Sequence, residues 1–250
     1  MTCMLLIGSI VGSFLSVVAL RIPKRESIVY PHSRCPQCNE RLVAKDLIPI
    51  ISYLLSRKKC RYCCRSISPF YCIVELVTGV IFLWAYVHFG WSQELLLALL
   101  FASLLIIVTA TDILYMVIPN VILLFYLLLF LLYRKVVLAE PMKDAYLGSA
   151  TGFLILLSVG MLFKKIRGEE GIGGGDIKLY AVIGLVLGVE KTILSLFLAA
   201  SIGLCLFLCI PHIQNKNGEM PFGPSIALAA WLCHLYGHYA IDWYFGFFTS

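Results

Sequence analysis

The sequence predicts an all-α integral membrane protein of about eight transmembrane helices, with a long cytoplasmic loop between the first two. Three observations carry this. Hydrophobic residues make up 60% of the 250 and charged residues 14%, with a mean hydropathy of +0.91. Soluble domains average about 45–50% apolar and about 25% charged residues, so a water-soluble fold of this length could not cover its own surface. The apolar residues also fall into runs near bilayer length, roughly 20 residues each. Finally, the basic residues collect between alternate runs.

The runs cover residues 2–20, 71–89, 94–111, 119–133, 144–163, 177–189, 191–210 and 224–248. No Lys or Arg precedes the first, and Arg21, Lys24 and Arg25 follow it, the reverse of a cleavable signal peptide. The sixth and seventh nearly abut at Val189-Glu190-Lys191. Eight spans alternate the loops; with the span-edge Lys178 and Lys191 assigned to their nearer sides, sixteen of the 20 Lys and Arg fall on the side of residues 21–70, 112–118, 164–176 and 211–223, with four opposite. Basic residues mark the cytoplasm, so the long loop is expected inside and both termini outside. Such a face would meet anionic lipid headgroups; that reading is preferred to nucleic-acid binding. Small-residue pairs, Gly8/Gly12, Gly148/Gly152 and Gly184/Gly188, suit close helix packing.

The loop holds Cys35-Pro-Gln-Cys38 and Cys60-Arg-Tyr-Cys63. Two CxxC pairs at this separation suit a zinc knuckle or ribbon, each pair giving two thiolates to a tetrahedral ion. A reducing cytoplasm argues against disulfides, and a short polar loop gains its folding energy from a metal. Four thiolates leave no open position, so the site is expected to be structural. Cys64 stands beside a ligand and could compete with Cys63. The remaining cysteines read as small buried hydrophobes.

Acids beside the spans are scarce, and an ionisable group there is a functional hypothesis by default. Asp112 closes the third run and precedes Ile118-Pro119-Asn120; Asp176 follows Gly173-Gly174-Gly175 and opens the sixth. Both are expected at the cytoplasmic ends of their helices. Asp176 has a plain alternative as an N-cap. Asp112, at an unfavourable C-terminal end, does not. On helix ends alone Asp176 should be the ionised member. Lys178, two residues on, lies off the face of Asp176 and is expected to snorkel. Glu169 and Glu170 read as a solvated turn. His234, His238 and Asp242 recur every four residues among aromatics, including Trp231, and read as an interfacial belt rather than a metal site.

These motifs together resemble the type IV prepilin peptidase family, membrane aspartic proteases that share a GxGD motif with preflagellin peptidases and presenilin. The resemblance runs through Gly12-Ser13-Phe14-Leu15, the two CxxC pairs, Tyr71 to Glu75, Asp112 with Ile118-Pro119-Asn120, Gly173 to Leu179, and Pro221-Phe222-Gly223-Pro224. Ser16 departs from the Asn common in the family. The resemblance implies a first helix (1–20), a zinc-binding loop domain (21–70) and a transmembrane aspartic peptidase domain (71–250). It further implies that Asp112 and Asp176 are a catalytic dyad supported by Gly173, Gly174, Gly175 and Lys178. The dyad would remove the short basic leader of prepilins or pseudopilins at the cytoplasmic face of a bacterial inner membrane. Many members also N-methylate the new terminus with S-adenosylmethionine; the filament served could belong to pili, protein secretion or competence. A proton-coupled transporter using the two aspartates stands as the alternative, and a thiol-redox protein as a third class.

Overall fold

The structure, a computed structural model, describes all residues except 31, 36, 139–140, 169–170, 210–219 and 250, and leaves out the side chains of residues 44 and 247–249. It is helical throughout: α1 (Thr2–Arg21), the short α2 (Ile51–Leu55), α3 (Pro69–Phe89), α4 (Gln93–Tyr115), α5 (Asn120–Tyr133), α6 (Met142–Arg167), α7 (Gly174–Cys209) and α8 (Gly223–Thr249). Two isolated β-bridges are the β pairing among the described residues. Six segments are long and apolar enough to cross a membrane; the fourth of them runs from Asn120 to Leu138 by adding a π-helical turn to α5. Six of the eight expected spans thus have a counterpart among these candidates taken helix by helix, with α7 counted once. The sixth and seventh runs lie within α7, and the last, α8, is not among the six.

The chain forms two compact units, Met1–Leu95 and Leu96–Ser250. In the first, α1 packs along α3. A Cβ at Gly8 would stand 2.7 Å from Gly79 Cα, and one at Gly12 2.8 Å from Thr78 Oγ1. The small residues permit backbone-to-backbone approach, as expected of such pairs in a bilayer. Pro69 opens α3 with its missing N–H, and the Ser68 hydroxyl accepts from Phe70 N–H at 3.3 Å, capping the first turn.

In the second unit α7 is two limbs. At 1.5 Å per residue, 36 residues in one line would reach about 54 Å, far beyond a bilayer core of about 30 Å. The backbone instead breaks at Gly188, with φ 74° and ψ −175°. Tyr180 Oη donates to Ser195 O at 3.2 Å, although fifteen residues would separate these groups by about 22 Å in one straight helix. A Cβ at Gly152 would touch Tyr180 O at 2.7 Å and Thr192 Cγ2 at 3.1 Å, so both limbs lie on one stretch of α6. The limbs fold back on each other, as the division of this region into two runs implied, with the break just before the expected Val189-Glu190-Lys191 boundary.

The reversal is held at both ends. Arg134 Nη1 donates to the carbonyls of Leu185 and Val186 (2.6 and 3.2 Å), which end the first limb. Asp144 Oδ1 accepts from Val189 N–H at 3.3 Å, at the start of the second. These are the orphan groups that any helix break creates, met by a cation on carbonyls and a carboxylate on an N–H, each with the favourable sign. A side chain at Gly188 would need φ 74° and would run into the Asp144 carboxylate. Gly188→Ala is thus expected to cost about 1–3 kcal/mol, read as a lowered unfolding midpoint in detergent, with Gly160→Ala, where a Cβ would meet only ordinary contacts at 3.7 Å and beyond, as the comparison.

Candidate active site

The site is built from helix ends within the second unit. Asp112 sits in the last turn of α4 and is 8% exposed. Past Tyr115 the chain turns through Met116 (φ 53°), whose N–H donates to Asp112 O at 2.9 Å, and reaches Pro119, which opens α5. Asp176 stands in the first turn of α7. The helix is started by Gly173, whose carbonyl accepts from Asp176 N–H at 3.0 Å, so Asp176 follows the cap rather than forming it. The two carboxylates are close enough for the charge of Asp112 to act on Asp176.

Glycine makes the approach possible. A Cβ at Gly175 would lie 3.0 Å from Ile118 Cβ, so α7 starts against the turn that carries Ile118-Pro119-Asn120. A Cβ at Gly173 would sit 3.2 Å from Asp176 Oδ2, while one at Gly174 would meet nothing. The three glycines differ in use: two admit close neighbours and one lies open.

Gly223 is the participant whose role the sequence did not disclose. Its N–H, at the start of α8, donates to Asp112 Oδ2 at 2.7 Å, and a Cβ there would strike the same carboxylate. Asp112 lies at the negative end of α4, but the positive end of α8 meets it. That contact removes the helix-end difference on which the expectation of one ionised and one protonated member rested. Lys178 also has a specific partner. Its Nζ donates to Asn120 Oδ1 at 3.0 Å, tying α7 to α5, in place of snorkelling freely. Glu169 and Glu170 lie outside the described residues.

The candidate metal centre lies in the first unit. Its two CxxC segments fold alike: Asn39 N–H donates to Cys35 O (2.9 Å) and Cys64 N–H to Cys60 O (2.9 Å), while Cys35 N–H reaches Glu40 O (3.0 Å) and Cys60 N–H reaches Arg65 O (2.8 Å). The bridges Arg34–Arg41 and Lys59–Ser66 close both turns in the same register. The sulfurs of Cys35, Cys38, Cys60 and Cys63 lie within 4.8 Å of one another, with 3.9 Å between Cys35 and Cys63. That is the edge of a tetrahedron of sulfurs about 2.3 Å from a centre, roughly 3.8 Å, and far beyond a disulfide bond. The donor set fits a divalent metal.

Charge in this cluster is divided unevenly. Burial pushes the Cys35 thiol up, but hydrogen bonds from the Gln37 and Cys38 backbone and from the thiols of Cys38 and Cys60 bring it down to about 7. Cys38 is lowered by the Glu40 N–H, yet burial and its three sulfur neighbours carry it up to about 12. Four close sulfurs cannot all ionise without a cation; a divalent metal lifts that restriction and binds them as thiolates.

Cys64 stands outside the group of four close sulfurs. It occupies the left-handed position (φ 55°) that Asn39 (φ 58°) fills in the other turn. Asn tolerates this region better than most residues, so Cys64→Asn is expected to keep the metal stoichiometry of the wild type and its unfolding midpoint within about a degree or two. Loss of metal would show Cys64 to be a ligand.

Comparison with known proteins places the chain among its relatives. Residues 6–89 match the Bacterial Peptidase A24 N-terminal domain and residues 99–208 the Type IV leader peptidase family. Over 247 residues the chain is 40% identical to a prepilin leader peptidase/N-methyltransferase of Bacillus subtilis (strain 168), covering 98% of this chain and 97% of that protein.

The chain belongs to the type IV leader peptidase family. Proteins of the same description from Stutzerimonas stutzeri and Pseudomonas aeruginosa are 34% and 32% identical, each covering 94% of this chain and 90% of the relative. No solved structure matches the chain. Within the family frame, Ser16 stands where Asn is common, and its hydroxyl donates to Ser13 O within its own helix at 2.7 Å. In α8 the expected interfacial belt divides. Tyr239 and Trp243 are exposed, whereas Trp231 and His234 are buried, His234 edge-on to Phe101 at 5.4 Å. These last two belong to the core.

Proposed function

We propose that this protein is a membrane aspartic endopeptidase that removes the basic leader of type IV prepilins or pseudopilins, and then methylates the new N-terminus. Asp112 and Asp176 are the catalytic pair. What supports this reading is that two carboxylates 64 residues apart in sequence stand at helix ends of one unit, near enough for the charge of one to act on the other. Glycines leave room beside them for a substrate backbone. The basic residues of the flanking loops favour the cytoplasm for this end of the bundle.

The chemistry follows from a pair that shares one proton. One carboxylate takes a proton from the attacking water as its oxygen bonds to the scissile carbonyl carbon; the other gives its proton to the leaving amine nitrogen. The titration belongs to the pair. Gly223 N–H holds Asp112 in place, Gly173 keeps bulk away from Asp176, and Gly175 lets α7 start against Ile118. Lys178, through Asn120, fixes the start of α7 relative to α5. The eight-span reading of the chain, with both termini outside, accompanies this proposal, as does zinc as the structural metal of Cys35, Cys38, Cys60 and Cys63.

Purified protein mixed with a prepilin-like substrate tests both activities at once. Expected are a leaderless product and, with S-adenosylmethionine, a gain of one methyl group at its N-terminus. Intact substrate would overturn the peptidase reading. A leaderless, unmethylated product would overturn only the second activity. The transporter alternative expects no cleavage at all.

A further inference from the structure

Glu75 matches the family pattern, but neither the dyad nor the metal uses it. It lies two turns into α3, is 7% exposed, and no Lys or Arg comes within ion-pair distance of it among the described residues. A carboxylate so placed is costly without a cation. One oxygen is occupied: Glu75 Oε2 accepts from Ile50 N–H at 2.8 Å. Ile50 centres a tight turn with φ 61° and ψ −50°, closed by Ile51 N–H on Pro49 O at 2.5 Å. This is a strained geometry for a β-branched residue, of the kind that persists where surrounding structure imposes it. A strained turn of the loop thus donates to a buried carboxylate that makes no ion pair among the described residues.

Glu75 also lines a cavity of about 590 Å³ between the end of α1, the cysteine turns, α2 and the start of α3. Its size suits a cofactor-sized ligand. Its walls combine chemistries that are rarely wanted together. Basic side chains, Arg21 and Lys24 among them, supply cations, Tyr53 and Tyr71 supply rings, and of the lining acids Glu26, Asp46 and Glu75 it is Glu75 that is buried. A ligand matching all three carries a carboxylate, a flat heterocycle and a fixed positive charge.

We propose that this cavity holds the methyl donor, S-adenosylmethionine, with Glu75 as the carboxylate that recognises its sulfonium. The proposal rests on the methyltransferase reading above. In the transfer the lone pair of the substrate amine forms the N–C bond as the C–S bond breaks. The bonding pair stays on sulfur, leaving neutral S-adenosylhomocysteine, and the methylated ammonium gives its proton to water. The charge that Glu75 recognises disappears in the reaction. Glu75 therefore favours donor over product and promotes their exchange. Because the sulfonium charge already fades in the transition state, Glu75 assists binding of the donor rather than the rate of the step.

Glu75→Gln separates charge from structure, since the amide oxygen can still accept from Ile50 N–H. Binding of S-adenosylmethionine and of S-adenosylhomocysteine would be titrated calorimetrically on the full-length wild type and E75Q. Wild type is expected to prefer the sulfonium. E75Q should bind S-adenosylmethionine about thirtyfold or more weakly and bind S-adenosylhomocysteine unchanged, with a raised KM for the donor and an undiminished kcat. Equal binding of the donor by both proteins, with wild type methylating, overturns the assignment of Glu75 alone. Loss of both ligands in E75Q makes Glu75 a structural tie and also overturns it. A wild type that cleaves but binds neither ligand overturns the methyltransferase reading together with this one.

Discussion

Asp112→Asn and Asp176→Asn are each expected to reduce leader removal about a thousandfold or more, the scale of a positioned acid or base in peptide hydrolysis. Asparagine keeps the shape of the side chain and, at Asp112, an oxygen that can accept from Gly223 N–H. It removes the ability to hold and release a proton. Unfolding midpoints should therefore stay near wild type while turnover collapses. The double variant should be little worse than either single one, because members of a catalytic unit fail together. A variant that retains a tenth of the activity would remove its aspartate from the dyad. Gly223→Val differs in kind. It leaves both acids present but drives a side chain into the Asp112 carboxylate, so activity and stability should fall together.

The sequence singled out the two aspartates proposed as a dyad because an acid beside an apolar run is rare and costly. Helix-end position then separated Asp112, with no capping excuse, from Asp176, with one. The motif Pro221-Phe222-Gly223-Pro224 could be read as a family feature but not as a physical part. Its partner lies 111 residues upstream, a separation across which spacing carries no information. Lys178 shows the limit of local geometry. Spacing from Asp176 could not find the partner of Lys178, which is Asn120 on another helix, 58 residues away. Helix boundaries suffered differently. Hydropathy alone separates runs where charges interrupt them, so it divided α7 at Glu190 and Lys191. The chain turns at Gly188, where Arg134 and Asp144 meet the freed backbone groups. By contrast, the cysteine site was almost wholly legible, because its ligands come as two local turns and only their meeting is long-range.

Removal of the metal is the perturbation expected to have the largest effect on stability. Structural four-thiolate sites bind with apparent free energies of about 10–16 kcal/mol, more than a whole small domain usually retains against unfolding. The loop has little else to hold it. Among the described residues, 22–68 hold α2 and a 3-10 turn, and the ion pair Arg61–Asp46 at 3.4 Å is largely exposed on its Arg side, where such pairs are worth little. A strong chelator, or Cys60→Ser, should therefore expose backbone amides of residues 33–42 and 58–67 to rapid hydrogen exchange. It should also open the loop to protease. The α6 and α7 amides of the second unit should keep their protection, since their packing rests on glycine contacts and the Arg134 and Asp144 ties. Retained protection in both cysteine turns after metal loss would show that the loop folds by other means. Cys35 and Cys60 also line the cavity, so the same treatment should weaken S-adenosylmethionine binding at least as much as E75Q does. Re-addition of zinc should restore it in the chelated wild type but not in the Cys60→Ser protein.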